Sequence, residues 1–366
     1  MHRSTLFLTL ETFSQTGGIQ KVCRALARAM EELPDTLTMY SLCDADSDLM
    51  DKYVSKDHFK GFRGRKLLFF FWAIAAGIKH KTTVLAHINL LPVACVLKFC
   101  FPSRRIVMLA HGIEVWRALT KHQRRFLNKH AEIWAVSEFT RKQLIRVNDI
   151  DPEKIIVLPN CLDPFFSVPT IRVKPASLVS RYHITVGQPI LMTLCRLSAF
   201  EQKKGYDLVI NCIPLLLKQQ PTLKYMIVGP YDDFEKQRLD QLVYKLNLGK
   251  HVFIVGFVPE DELIEHFLLA DVFIMPSQKE GFGLVLLEAA ACGCKVIAGN
   301  RDGSGDALLG GKLGCLVDPE SSDQILEALQ AALRDTPIGD SSEVQRLALS
   351  SFGFSVYKNN VRTLLT

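Results

Sequence analysis

The sequence predicts an α/β protein built from two parallel-sheet domains. Three observations carry that prediction. Short apolar runs ending in Gly, His or Pro alternate with longer amphipathic stretches, the rhythm of strand and crossover helix in a parallel sheet. The chain has 366 residues, too many for one ordinary core and about right for two domains of roughly 150 to 200 residues each. Between Asp163 and Pro189 the rhythm stops, interrupted by Pro164, Pro169, Pro175 and polar neighbours, as expected of a linker. Two domains imply a cleft between them.

Taken in order, Leu6 to Leu10 reads as the first strand and Ile19 to Leu33 as the helix after it. Thr83 to Ala86, Arg105 to Ala110, Ile133 to Val136 and Lys154 to Leu158 read as further strands of the first domain. In the second half, Ile190 to Leu197 reads as a strand, Tyr206 to Gln219 as a helix, Leu223 to Val228 as a strand and Phe234 to Leu246 as a helix. Val252 to Val255, Val272 to Met275, Lys295 to Ala298 and Gly314 to Val317 follow as short strands, and Glu343 to Leu365 reads as helical. The expected division is 1–168 for a first domain and 185–345 for a second, with 346–366 as a helix crossing back to the first.

Leu67 to Ile78 (LLFFFWAIAAGI) is an unbroken apolar segment with Arg63, Arg65 and Lys66 before it and Lys79, His80 and Lys81 after it. A helix of that length measures about 18 Å and cannot cross a hydrocarbon core of about 30 Å. Two readings stay open: a buried helix of the first domain, or a helix lying on an anionic membrane surface.

Composition narrows the class. Hydrophobic residues make up 48% and charged residues 22%, the balance of a globular protein and not of a disordered or fibrous one. The ten cysteines show no paired CxxC spacing and no His-rich company, so no metal site is expected and a reducing compartment is. Most sit in apolar runs, where a thiol packs as a small hydrophobe. The start, MHRSTLFLTLE, lacks a small-residue cleavage site and reads as a strand, not a signal peptide. The expectation is a cytoplasmic protein, peripheral on the inner face of a membrane if the apolar segment docks there. Residues 1–165 hold 24 Lys and Arg against 16 Asp and Glu, and the remainder holds 20 against 22. The first half therefore either faces something anionic or is a solvated basic surface. No nucleic-acid-binding motif accompanies that charge.

Four places can carry chemistry. Gln15-Thr16-Gly17-Gly18-Ile19 joins a strand to a helix, so its glycines admit a close ligand and the helix start offers free N–H groups to an anion. The dinucleotide fingerprint GxGxxG is absent there. His111, in Ala110-His111-Gly112, follows a strand at the sheet end where parallel sheets bind ligands. Arg196, with Lys203-Lys204-Gly205 beyond it, sets cations at a strand mouth as a clamp for a diphosphate. In Pro276-Ser277-Gln278-Lys279-Glu280-Gly281-Phe282-Gly283-Leu284-Val285-Leu286-Leu287-Glu288, Glu280 falls in a loop and Gly283 near a helix start that suits phosphates. Glu288 lies inside the apolar helix and is costly to bury without a partner.

The two glutamates of EGFGLVLLEAAACG, at 280 and 288, resemble the signature of the retaining GT-B glycosyltransferases, especially glycosyltransferase family 4. Gly17-Gly18, His111-Gly112, Pro159-Asn160, Arg196 with Lys204-Gly205, Gly229-Pro230 and Gly256-Phe257-Val258 agree in order over nearly the whole chain. The resemblance implies two Rossmann-like domains facing a central cleft. It also implies transfer of a hexose, with retention and without a metal or other cofactor, from a nucleotide-diphosphate sugar of the GDP-mannose or UDP-glucose type. In that scheme Arg196 and Lys204 neutralise the leaving diphosphate, helped by backbone donors at Gly281, Phe282, Gly283 and Leu284. Glu288 holds the ribose and the backbone near Val258 meets the base. Glu280 contacts the donor sugar, His111 binds a sugar hydroxyl, and Gly17-Gly18 let the first domain approach the phosphates. His111, Glu280, Arg196 and Lys204 are the catalytic candidates.

Two departures stand out. Phe200-Glu201-Gln202-Lys203 lengthens the interval from Arg196 to Lys204 beyond the family's commoner spacing, leaving Lys203 and Lys204 as alternative phosphate ligands. Asp306 stands where a glutamate is frequent. The acceptor is expected to be a saccharide, polyprenyl-diphosphate-linked in exopolysaccharide, O-antigen or other cell-surface glycan assembly. Rival readings are a GT-B nucleotide-sugar epimerase, which needs carboxylate bases near the sugar, and a catalytically silent membrane-docked scaffold.

Overall fold

The computed structural model describes residues 4–199, 203–334 and 341–366. The chain divides into two compact units. One holds the chain up to Phe166 together with Phe352–Thr366, and the other holds Ser167–Ser351.

The first unit contains strands β1 (Ser4–Thr9), β2 (Thr36–Ser41), β3 (Phe59–Gly61), β4 (Thr82–Leu85), β5 (Arg105–Ala110), β6 (Glu132–Ala135) and β7 (Ile155–Val157). Between them run helices α1 (Gly18–Glu31), α2 (Lys66–Lys79), α3 (Leu91–Cys100), α4 (Ile113–Trp116), α5 (Lys121–His130) and α6 (Glu138–Asn148). The sheet is parallel in the order β3-β2-β1-β4-β5-β6-β7. Its strands are almost wholly apolar because both faces are covered. Leu6 and Leu8 of β1 enter a core shared with Phe69 and Ala73 of α2 and Leu97 of α3. Phe7, between them, enters the opposite core with Leu26 and Ala29 of α1, as the two-residue period of a strand requires.

β2 and β3 were not expected. β2 alternates with Leu37, Met39 and Ser41 buried, but its threonines break the apolar run that marks the other strands. β3 is only three residues long.

The second unit contains α7 (Ala176–Arg181), β8 (Ile190–Leu194), α8 (Tyr206–Leu216), β9 (Lys224–Val228), α9 (Asp233–Lys245), β10 (Val252–Gly256), α10 (Leu263–Leu269) and β11 (Val272–Met275). It continues through α11 (Leu284–Ala291), β12 (Lys295–Gly299), α12 (Ser304–Ala307), β13 (Cys315–Val317), α13 (Ser322–Arg334) and α14 (Ser341–Phe352). Its sheet is also parallel, in the order β10-β9-β8-β11-β12-β13. β8 stops at Leu194 and not at Leu197, so Arg196 lies two residues beyond the strand.

The expected single helix over Glu343 to Leu365 is two. Gly353 adopts an extended conformation between α14 and α15 (Phe354–Leu365), and glycine is among the weakest helix formers. α15 packs on α1 in the first unit, burying Tyr357, Val361 and Leu365. Lys358 pairs with Glu32 at 2.7 Å, and Arg105 donates to the Leu364 carbonyl at 2.7 Å.

The apolar segment Leu67 to Ile78 forms α2 and buries only one side. Phe69, Ala73, Ala76 and Gly77 face inward, while Leu67, Phe71 and Ile78 stand exposed. No helix among the described residues is long and apolar enough to cross a membrane. All ten cysteines are free, but Cys43, Cys95, Cys100 and Cys315 are exposed, so fewer of them act as core hydrophobes than their apolar runs imply.

Candidate active site

Each sheet reverses its winding direction at one place, and the helices that follow the two strands there pack on opposite faces. The crevice left at their carboxyl ends is where open parallel sheets bind ligands. In the first unit the reversal lies between β1 and β4, and in the second between β8 and β11.

In the second unit the loop after β8 supplies Arg196 and Lys204, and the loop after β11 supplies Glu280. Lys204 Nζ forms a direct ion pair with Glu280 Oε1, each side chain 18% exposed. Arg196 is exposed. Lys203 is also exposed, and it contributes its carbonyl, which accepts from the Gln278 amide at 2.9 Å and from Ser277 Oγ at 3.3 Å. The two lysines are therefore not equivalent: Lys204 joins Glu280, while Lys203 ties the two loops together. Phe200, Glu201 and Gln202, which lengthen this loop, lie outside the described residues. Gly205 sits at a φ of +81°, and a Cβ there would meet the Pro276 carbonyl oxygen at 2.4 Å. Only glycine admits this approach of the two loops.

The Glu280 loop is clamped from below by a residue the sequence reading passed over. Asp302, 4% exposed, accepts the Glu280 amide on Oδ2 at 2.7 Å and the Ser304 amide on Oδ1 at 3.0 Å. The Glu280 carbonyl in turn accepts from Gly303 N at 2.8 Å. A Cβ on Gly303 would lie 2.1 Å from the Gly281 carbonyl oxygen. Burial pushes the Asp302 carboxyl up to about 6, with the nearby Glu280 charge acting the same way against the two amide donors. An aspartate followed by glycine just past a strand was the available signal. Asp306, four residues on in Asp302-Gly303-Ser304-Gly305-Asp306, lies in the short helix α12.

Beyond Glu280, Gly283 caps α11 in the left-handed region and Phe282 is buried. Glu288 lies in α11 and is 3% exposed. Val258, two residues past β10, borders a cavity of about 470 Å³ whose rim carries the 2.6 Å Arg181–Glu262 ion pair and the exposed Phe257.

In the first unit Gly17 and Gly18 start α1. The loop before them is held by two buried charges that local sequence offers no reason to select. Asp44 accepts from the amides of Thr12 at 2.8 Å and Ser14 at 3.0 Å, and from the hydroxyls of Ser14 and Ser41 at 2.6 Å each. Arg24, 1% exposed, donates to the carbonyls of Thr12 and Gln15 at 2.9 and 2.8 Å.

His111 follows β5 and is 8% exposed. Its Nε2 lies 2.8 Å from the Ala86 carbonyl. Since that oxygen only accepts, Nε2 carries the proton and Nδ1 keeps a lone pair. Nδ1 is buried and has no partner among the described residues. Burial holds the imidazolium below its ordinary range, against the opposing pull of Glu114 and the Ala86 carbonyl. Glu114 accepts the amides of His111 at 2.6 Å and Gly112 at 3.1 Å, which fixes the turn. His87, also held low by burial, stands close enough to feel the charges of His111 and Glu114. Each unit thus carries its own polar set: a neutral imidazole acceptor in the first, and in the second a lysine, a carboxylate and a glycine-lined helix start.

Known proteins share this construction. Residues 191–346 match the family model described as "Glycosyl transferases group 1", and residues 16–165 match that of "Glycosyltransferase Family 4". The chain is 33% identical over 249 residues to the GDP-mannose-dependent alpha-(1-6)-phosphatidylinositol monomannoside mannosyltransferase of Mycolicibacterium smegmatis, covering 64% of this chain and 62% of that protein. It is 28% identical over 236 residues to the D-inositol 3-phosphate glycosyltransferase of Kineococcus radiotolerans, covering 60% and 53%. The matched region thus spans less than two thirds of the length of these curated relatives. In fold it is similar to Anabaena HepE in complex with UDP and glucose, with a TM-score of 0.82, 18% identity, and 100% and 99% of the two chains covered. Sucrose-phosphate synthase from Thermosynechococcus elongatus gives 0.78, 19%, 99% and 98%.

Proposed function

With its first half matching the family 4 model and its second half that of the group 1 glycosyl transferases, the chain is a glycosyltransferase of the family 4 type, and we propose that it moves a hexose from a nucleoside-diphosphate sugar to a saccharide acceptor. The observation that carries this reading is the Lys204–Glu280 pair at the sheet reversal of the second unit, beside the helix start at Gly283. A diphosphate seated at that helix start takes over Lys204 as its counterion, with Arg196 as the second cation, and Glu280 is released toward the sugar. Negative charge grows on the leaving phosphate in the transition state, so cations fixed there lower the barrier. This assigns charge neutralisation to Arg196 and Lys204 without a metal, and transfer proceeds with retention. Glu288 receives the ribose hydroxyls, the backbone at Val258 meets the base, and Gly281, Phe282, Gly283 and Leu284 offer amides to the phosphates. In the first unit, His111 accepts a hydrogen bond from a sugar hydroxyl on Nδ1, the lone pair left free in the fold, and Gly17-Gly18 contact the phosphates.

Within the open donor class, GDP-mannose is favoured over UDP-glucose because the similar mycobacterial enzymes are GDP-mannose-dependent. Those relatives are named for phosphatidylinositol monomannoside, which supports a lipid-linked acceptor in cell-surface glycan assembly. The exposed apolar side of α2 supports peripheral contact with an anionic membrane.

Thermal unfolding with GDP, UDP, ADP and their hexose conjugates tests the donor site. A ligand at about a hundred times its dissociation constant adds about 2.7 kcal/mol of stability. One nucleotide series should stabilise the protein, and Lys204→Ala should lose the effect. Equal stabilisation of Lys204→Ala would remove the proposed donor site.

A further inference from the structure

The proposed chemistry uses the carboxyl end of the first sheet and leaves its amino end without a role. Four adjacent strands, β4 to β7, begin there, and the segments entering them are rich in cations. Lys79 and Lys81 precede β4, Lys98 and Arg104 precede β5, Lys129 and His130 precede β6, and Lys154 precedes β7. Between Asp57 and Glu114 the chain has nine Lys and Arg and no carboxylate.

Of these, Lys98, Lys129, His130 and Lys154 line a cavity of about 270 Å³ together with Glu153, with Arg105 and Glu132 at its wall. Arg105 is neutralised by Glu132 at 2.8 Å. Lys98 spends one of its three donors on the Pro102 carbonyl at 2.9 Å. Three lysines therefore face one remaining carboxylate, that of Glu153. Phe99, next to Lys98, is 88% exposed. On α2, which packs beside α3, Leu67, Phe71 and Ile78 recur at helical spacing along one exposed side. That stripe runs from the end where β3 delivers the chain to the end where β4 begins. Arg104 ties its far end to the same rim by donating to the Ile78 carbonyl at 2.5 Å.

A basic hollow with the exposed Phe99 next to Lys98 of its lining, and the exposed side of α2 on the adjoining helix, has the chemistry of a lipid headgroup site. We propose that this hollow binds the phosphate of an anionic phospholipid, with Phe99 and the exposed side of α2 entering the acyl boundary next to it. The inference rests on the membrane contact proposed above and adds to it a specific anchor. The anchor lies at the sheet end opposite His111, so the phospholipid held there is a docking ligand and not the acceptor.

The test compares flotation with vesicles of phosphatidylcholine alone and of phosphatidylcholine containing phosphatidylglycerol. It uses the full chain, Lys129→Ala/Lys154→Ala, and Phe71→Ser/Ile78→Ser. Each cation near an anionic surface is worth about fivefold in binding, so the double lysine variant should bind anionic vesicles on the order of thirtyfold more weakly. Its stabilisation by donor nucleotide should be unchanged, which reports an intact fold. Undiminished binding by the lysine variant, with loss in Phe71→Ser/Ile78→Ser, overturns the headgroup site and leaves the membrane reading standing. Wild-type protein that ignores both vesicles overturns the two together. Stabilisation by inorganic phosphate that disappears in the lysine variant, with vesicle binding equal in both, reassigns the hollow to a free phosphate. A dimer that dissociates in Phe71→Ser/Ile78→Ser assigns the apolar side to a second copy of the chain and overturns the bilayer assignment.

Discussion

At the scale of single residues, the site works by leaving chosen atoms unsatisfied. His111 spends Nε2 on the Ala86 carbonyl and holds Nδ1 free. An imidazolium would have two donors and nothing to accept with, so burial that keeps the ring neutral also keeps the acceptor that the proposed role requires. His111→Ala should lower kcat on the order of a hundredfold through lost orientation of the sugar. The same burial has a stability consequence. Below the ordinary histidine value of about 6.5 the unfolded chain takes a proton that folded His111 refuses, so stability falls as the pH drops past it. Thermal unfolding between about pH 7 and about pH 5 should slope less steeply in His111→Ala. Asp302 behaves in the opposite sense, because its carboxyl is raised to about 6. Protonation turns one of its two accepting oxygens into a donor and loosens the Glu280 and Ser304 amides. Donor affinity should hold above that value and weaken below it, and isothermal titration across the range should show no such step in Asp302→Ala.

At the scale of elements, the proposed donor site depends on loops brought closer than side chains permit. Gly205 and Gly303 each lie where a Cβ would strike a carbonyl oxygen of the neighbouring loop. Gly205→Ala is strained twice over, by its positive φ and by the contact with Pro276, and should cost on the order of 1 to 3 kcal/mol. It should also weaken donor binding, because Lys204 is the adjacent residue. Denaturant unfolding and nucleotide titration of the one variant check both effects. The pairing of Lys204 with Glu280 separates binding from turnover. Glu280→Gln removes the competing carboxylate, so nucleoside diphosphate should bind no more weakly than to the parent, while kcat falls on the order of a hundredfold. Weaker nucleotide binding by Glu280→Gln would instead mean that the carboxylate positions the clamp. Helix α2 shows how far sequence reading reaches at this scale. Its length and apolar character are plain in the letters, but the burial of Phe69 and Ala73 and the exposure of Leu67 and Phe71 depend on where α3 and the sheet sit.

At the scale of the whole molecule, two parallel sheets each built around one reversal of winding account for the distribution of function along the chain. The alternation of apolar runs with amphipathic stretches is legible because a sheet covered on both faces needs uninterrupted apolar strands, and such strands announce themselves locally. For the same reason the loops at strand ends were legible, and within them the family resemblance singled out His111, Lys204, Glu280 and the glycines. β2 and β3 escaped because one is diluted by threonine and the other is too short to leave a periodic trace. Asp44 and Asp302 escaped for a different reason: the site-loop amides that each holds, Thr12 and Ser14 for one and Glu280 for the other, lie 22 to 32 residues away along the chain. The sequence by itself determined the class of fold and most of the strands and helices that build it, since these follow from local periodicity, and through the family resemblance it pointed to the motif residues at the carboxyl ends of the strands. Only the tertiary structure decided that Lys204 and not Lys203 meets Glu280, that Asp302 clamps that glutamate, which His111 nitrogen stays free, and which side of α2 is exposed. Those facts are set by distance between segments remote in sequence, where no local pattern records the partner.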